Sequence, residues 1–264
     1  METNPLKNVD LYLLDLDGTL YLGNNVFPCS YDFLKSLKEH GKRYVFLTNN
    51  TSRGKDEYFT RLKNMGFELT IDDIFTAGDA TILYLKENGF SKELALFGTP
   101  SLEQQFIDAG FNPHSDHPEY IVLGYDKTIT FEKLTYLCEL VKQGLPYIAT
   151  HPDFNCPVEN GFIPDIGAIM AFVEASTKRK ADIVIGKPNH YIVDAVSEKY
   201  GVKVENIAMV GDRLYTDIAL GKYSPIKTVL VLSGETSLKD YESQSDVKAD
   251  LVLNDVGEIP EYLK

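Results

Sequence analysis

Short runs of aliphatic and β-branched residues alternate with segments of helical periodicity along nearly the whole chain. βαβ units with a mostly parallel sheet produce this pattern. Four of the runs end in polar residues: LYLLDLDGT (11–19), RYVFLTNNTS (43–52), DIVIGKP (182–188) and NIAMVGDRLYTD (206–217). Strands buried on both faces read as continuous apolar runs, and ligands of parallel sheets sit beyond the carboxyl ends of the strands. The four equipped strand ends are therefore expected to converge on one site.

The second and third of these runs lie about 130 residues apart, far more than the dozen or so that one crossover needs. The interval has its own alternation. A helix around GDATILYLKEN, a strand ELALFG, a helix SLEQQFIDAG and a strand EYIVLGYD come first. A helix TFEKLTYLCELVKQG, a strand YIATH, a polar, proline-bearing loop PDFNCPVENGFIPDIG and a helix AIMAFVEAS complete it. This is enough for a second α/β domain over 80–181, inserted into a first made of 1–79 plus 182–264.

The chain has 264 residues, 44% of them hydrophobic and 25% charged, as expected of a folded globular protein rather than a disordered one. Its 39 acidic against 26 basic residues give a net charge of -13, the wrong sign for binding a nucleic-acid backbone. A small anion would also be repelled at long range, so any phosphate chemistry needs a local cation. The first apolar run is short and interrupted by Asp10, Asp15 and Asp17, which fits neither a secretory leader nor a membrane span, and a cytoplasmic location is expected. Cys29, Cys138 and Cys156 are distant and odd in number, and read as free thiols.

Asp15 and Asp17 are two residues apart just past a strand, where a period of two places both carboxylates on one side. Gly18 permits a sharp turn and can aim its N–H at an anion. Thr48, Asn49, Asn50, Thr51 and Ser52 supply hydroxyl and amide donors for phosphate oxygens, although a polar loop capping the next helix has the same composition. Lys187, between Gly186 and Pro188, is the local cation required above. Asp212, after Gly211, and Asp217 put further carboxylates on a strand-to-helix turn, suited to magnesium, which takes one or two carboxylates, waters and substrate phosphate. Asp217 is equally compatible with a helix N-terminus. His114, Asp116 and His117 form an H-x-D-H cluster in a stretch that reads as a loop, with no evident fourth ligand, and zinc is not expected there.

In this order, DLDGT, TNN, GKP and GDRLYTD resemble the four motifs of the haloacid dehalogenase superfamily, and the chain as a whole resembles its NagD-like, p-nitrophenylphosphatase-like branch. The resemblance implies a Rossmann-like parallel-sheet core with an inserted α/β cap of the C2 type, and magnesium-dependent hydrolysis of small phosphomonoesters. It makes Asp15 the nucleophile and a metal ligand. Asp17 becomes the general acid and base, lending its backbone carbonyl to the metal. Thr48 and Asn49, with Gly18 and Asn50 beside them, would hold the phosphoryl oxygens, Lys187 would bridge phosphate and Asp15, and Asp212 would complete the metal site while Asp217 orients it.

The residue types make chemical sense of this. A carboxylate attacking phosphorus splits hydrolysis into formation and breakdown of an aspartyl phosphate, and a second carboxyl group can serve as acid in the first half and base in the second. Asp17 also weighs against a phospho-aspartate receiver-like switch, which needs a long-lived acyl phosphate, and against a dehalogenase, whose halide leaves without an acid. A phosphotransferase or phosphomutase on the same motifs is the nearer alternative. Expected substrates are small phosphomonoesters of the sugar phosphate, nucleotide or pyridoxal phosphate class, with no nucleic-acid or membrane partner. Discrimination among them is expected from the stretch 150–167, where His151, Asp153 and Asn155 offer polar handles.

Overall fold

The computed structural model describes residues 4–158 and 161–263. In chain order its first strands are β1 (Leu11–Leu14), β2 (Tyr21–Leu22), β3 (Asn25–Val26), β4 (Arg43–Thr48) and β5 (Ile74–Thr76). Next come β6 (Leu94–Phe97), β7 (Tyr120–Leu123), β8 (Tyr147–Ala149), β9 (Asn155–Val158), β10 (Gly161–Pro164) and β11 (Ile183–Val184). The last are β12 (Ile207–Gly211), β13 (Lys227–Val231) and β14 (Leu251–Leu253). The helices used below are α1 (Phe131–Lys142) and α2 (Ile166–Thr177). Among the described residues no helix is long and apolar enough to cross a membrane.

The chain divides into two compact units, one of residues 1–48, 59–75 and 187–264, the other of 49–58 and 76–186. The second therefore takes in 49–58, a stretch the sequence pattern left with the core.

The first unit is built on a sheet of order β14-β13-β12-β1-β4-β5. β1 lies at its centre, parallel to β12 and to β4. All residues of β1 and β12 are buried, as their uninterrupted apolar runs require. Register aligns the chemistry: Leu14 is opposite both Val210 and Phe46, so Asp15, Gly211 with Asp212, and Leu47 with Thr48 follow at the same edge. The Asp15 N–H donates to Val210 O at 3.0 Å, carrying the pairing one residue past the strand.

The second unit has a four-stranded sheet of order β11-β8-β7-β6, with neighbouring strands parallel. Alternate residues of its strands, Ala95 and Phe97, Ile121 and Leu123, Tyr147 and Ala149, share one cluster with Leu137 and Val141 of α1 and Ile166 and Val173 of α2. This is the period-two pattern of a sheet face covered by helices.

Two features differ from the sequence pattern. The run DIVIGKP leads into Lys187, but its strand β11 is the edge of the second sheet, paired with β8, and not a strand of the core. With two half-buried residues it has too little apolar length to take a central place. The stretch expected to be a loop after β8 contains an antiparallel strand pair, with Asn155 opposite Pro164 and Cys156 opposite Ile163. Pro157 and Pro164 hide it in the sequence, since proline argues against a central strand yet is tolerated in a two-stranded ribbon that consists only of edges.

Candidate active site

At the carboxyl edge of the first sheet, the ammonium of Lys187 bridges two carboxylates, 2.5 Å from Asp15 Oδ1 and 2.6 Å from Asp217 Oδ1. Lys187, Asp212 and Asp217 are all buried, and Asp15 is partly so. Burial pulls the Lys187 pKa down, but the charges of Asp15 and Asp217 outweigh it and hold the ammonium above its usual range. Asp217 follows β12 on a π-helical turn, Leu214–Ile218, and its other oxygen accepts the Arg213 backbone N–H at 3.1 Å. One oxygen from each of Asp15, Asp212 and Asp217 lies within 4.8 Å of the others.

These carboxylates are crowded. Burial raises the Asp212 pKa most, and the charges of Asp15 and Asp217 raise it further against the Glu235 N–H hydrogen bond and Arg213. Asp217 is also raised, first by burial, with Lys187 opposing and Asp15 reinforcing. Asp17 is raised by burial, opposed by Arg61 and by the Gly23 N–H, and reinforced by Asp15. Its carboxylate stands outside the three-carboxylate group. A carboxyl group whose neutral form is favoured in the fold is one that can hold a proton to give away.

Gly18 has φ +86°, and a Cβ there would overlap the Asp212 carboxylate. Glycine thus serves both the left-handed turn and the close approach. The turn closes as the Gly18 N–H donates to Tyr21 O at 2.7 Å, and Thr19 Oγ1 donates to Asp212 Oδ1 at 3.5 Å.

A loop after β13 supports this site and was not singled out from the sequence. The Glu235 N–H donates to Asp212 Oδ2 at 2.6 Å, the Thr236 N–H to Asp212 O at 3.3 Å, and Ser233 Oγ to Gly18 O at 2.7 Å. Arg213 Nε also lies 3.1 Å from Glu235 Oε2. The available signal was its position: SGET follows an apolar run that is parallel to β12, so its end falls beside Asp212.

Of the other expected site residues, Thr48 belongs to the first unit and the rest to the second. Thr48 ends β4 and is buried. The Asn49 side-chain amide donates to both oxygens of Asp153, at 3.2 and 3.3 Å. Asn50 Oδ1 accepts from the N–H and hydroxyl of Ser52, a capping turn, while its amide approaches Cys156 Sγ at 3.6 Å. His151 is fully buried, with Nε2 3.1 Å from Asp165 Oδ1 and Nδ1 3.0 Å from Thr150 Oγ1. Asn155 is exposed on β9. His151, Asp153 and Asp165 form the second group of possible metal ligands among the described residues, and His114, Asp116 and His117 do not form one. The three cysteines are free thiols.

The first group suits a hard cation better. It gathers three carboxylates around one lysine, whereas Asp153 and Asp165 are already supplied with donors by Asn49 and by the Ile166 N–H at 2.6 Å.

The chain is similar to known proteins over most of its length. The family model described as haloacid dehalogenase-like hydrolase matches residues 12–112, and a second, HAD-hydrolase-like, matches 184–259. Glycerol-3-phosphate phosphatase of Mus musculus is 34% identical, over 91% of this chain and 84% of its own. Acid sugar phosphatase of Staphylococcus epidermidis is 32% identical, over 90% and 92%. Among solved structures, 4-nitrophenylphosphatase of Thermotoga maritima superposes with a TM-score of 0.95 at 45% identity, covering 98% of this chain and 99% of that one. NagD of E. coli gives 0.87 at 29% identity, covering 95% and 98%. The chain belongs to the haloacid dehalogenase superfamily, in its NagD-like, p-nitrophenylphosphatase-like branch, and is a phosphatase of that family.

Proposed function

We propose that the protein is a magnesium-dependent phosphatase that hydrolyses small phosphomonoesters through an aspartyl phosphate on Asp15. The observation that carries the reading is the ion cluster of Asp15, Lys187, Asp217 and Asp212 at one sheet edge. Burial and the neighbouring charge of Asp15 raise the proton affinity of Asp212 and Asp217, so a divalent cation fits the charge gathered there. Asp15, the Asp17 backbone carbonyl and Asp212 would hold it. Asp217 has its two oxygens engaged by Lys187 and the Arg213 N–H, and serves to orient. Bound there, magnesium neutralises phosphoryl charge that would otherwise repel Asp15.

In the first step the Asp15 carboxylate attacks phosphorus and the bond to the leaving oxygen breaks. Asp17 gives its proton to that oxygen, releasing an alcohol. Its raised pKa, set by burial, supports this role. In the second step ionised Asp17 takes a proton from water, the water oxygen attacks phosphorus, and the bond to Asp15 breaks to release phosphate. Lys187 holds positive charge against the phosphoryl group throughout, with Thr48 and the Asn49 backbone N–H holding its oxygens.

The names of the relatives make polyol and sugar phosphates the first substrates to try, followed by nucleotides and pyridoxal phosphate. Three free thiols support a cytoplasmic location. The test is phosphate release across this panel with and without magnesium, for the wild type and Asp15→Asn. Turnover that needs magnesium and is abolished in the variant is expected. Failure on every phosphomonoester, or full activity of Asp15→Asn, overturns the reading.

A further inference from the structure

We propose that the turn formed by Thr150, His151, Pro152 and Asp153 is a clasp that positions Thr48 and Lys187, with Asp153 and His151 acting as positioning residues and not as substrate handles. The proposal rests on the phosphatase reading above. The chain passes between the units four times, first entering the second unit at Asn49 and last leaving it at Gly186, so Thr48 and Lys187 are the next residues outward at the first and last crossings.

The first and last of these crossings are tied to this one turn. On entry, the Asn49 amide donates to Asp153, and Thr51 Oγ1 lies 3.3 Å from Thr150 Oγ1. On exit, the Gly186 N–H donates to Thr150 O at 2.8 Å and the Ile185 N–H to Ala149 O at 3.1 Å. The crossings also meet each other. A Cβ on Gly186 would stand 2.6 Å from Asn49 Oδ1 and 2.8 Å from both His151 Cβ and Thr150 O, so only a residue without one fits.

The turn is braced from behind. His151 is held between Thr150 and Asp165, and Asp165 caps α2 through the Ile166 N–H. The Gly167 N–H donates to Asp153 O at 2.8 Å, and a Cβ on Gly167 would overlap the carbonyls of Pro152 and Asp153. Asp153 is 8% exposed. A carboxylate so placed requires its hydrogen-bond donors, and the Asn49 amide is one of them.

Adjacent Cα atoms are about 3.8 Å apart, so a shift of Asn49 or Gly186 passes directly to its neighbour. A misplacement of about 1 Å at a reacting centre can cost roughly a hundredfold in rate. One turn thus sets two groups proposed to contact the phosphoryl group, and the effect of disturbing it should not depend on what the phosphate is attached to.

The test is a double-mutant cycle of Asn49→Ala and Asp153→Ala, read as kcat/KM on p-nitrophenyl phosphate and on a sugar phosphate, together with inhibition by inorganic phosphate. Each single variant is expected to lose roughly tenfold or more, by the same factor on both substrates, with phosphate inhibition weakened. The double variant should be no worse than the worse single one. Losses confined to the sugar phosphate would make Asp153 a substrate contact and overturn the clasp, as would multiplying losses or unchanged activity. Where the alanine form at 153 does not fold, Asp153→Asn is read instead, with a smaller loss that is again equal on both substrates. A wild type that hydrolyses neither compound refutes the phosphatase reading and this proposal with it. Wild-type turnover combined with unequal or multiplying losses refutes the clasp alone.

Discussion

Gly234 lies so close to Asp212 that a methyl group on its Cα would overlap the carboxylate. Its φ is outside the left-handed region, unlike that of Gly18, so Gly234→Ala tests the close approach without backbone strain. Magnesium affinity, measured by calorimetry, is expected to weaken about tenfold or more, equivalent to about 1.4 kcal/mol. The overpacking itself should cost about 1–3 kcal/mol of stability in a denaturant melt. Unchanged magnesium binding would separate Asp212 from the metal.

Lys187→Met removes the ammonium from between Asp15 and Asp217. Activity should fall by at least roughly 10²–10³-fold, the usual loss of a preorganised electrostatic group. Asp217, 1% exposed, is left as a buried carboxylate without that partner, and breaking such a pair costs about 3–5 kcal/mol. Adding Asp217→Asn should restore much of that stability and none of the activity. Recovery of turnover in the double variant would contradict the role given to Lys187.

The proton affinity of the carboxylate cluster predicts how stability depends on pH. Burial and neighbouring charge raise Asp212 from 3.8 to about 7 in the fold. The native state then binds more protons than the unfolded chain between those values, so this contribution is present in full below about 4 and is lost as pH rises towards 7. Melting of metal-free wild type should fall over that range more than melting of Asp212→Asn. Magnesium should raise the wild-type midpoint more at pH 7.5 than at pH 5. Equal stabilisation at both values would show that the ion does not relieve these carboxylates.

Asn155 and Asp153 began as equivalent polar handles, but Asn155 is exposed on β9 while Asp153 is buried. Asn155→Ala is therefore expected to change kcat/KM for a preferred sugar phosphate by roughly tenfold, about 1.4 kcal/mol, and to change p-nitrophenyl phosphate turnover much less, because its good leaving group needs little positioning. Equal effects on both would place discrimination among substrates elsewhere.

The core was legible because its central strands are continuous apolar runs and its chemistry follows them directly. Asp15, Thr48 and Asp212 could be placed at one edge without knowing the register that pairs Leu14 with Val210 and Phe46. The sheet membership of β11 was not legible, since two half-buried residues carry no period that distinguishes an edge from a centre. The side-chain direction of Asn49 was hidden too. An amide in a polar loop reads as a phosphate donor until its partner Asp153, distant in sequence, is known. The support of Asp212 by Glu235 runs through a backbone N–H, which any residue type supplies, so composition could not mark it.

Placing β11 beside β8 limits how far the inserted unit can be treated as a detachable module. Excising 80–181 would leave Lys187 in the polypeptide but remove β8, the strand against which its approach is laid. A trimmed descendant of this chain would have to find another rail for the lysine, so shortening by a few residues within the insertion is tolerable only where β8 and β11 remain paired.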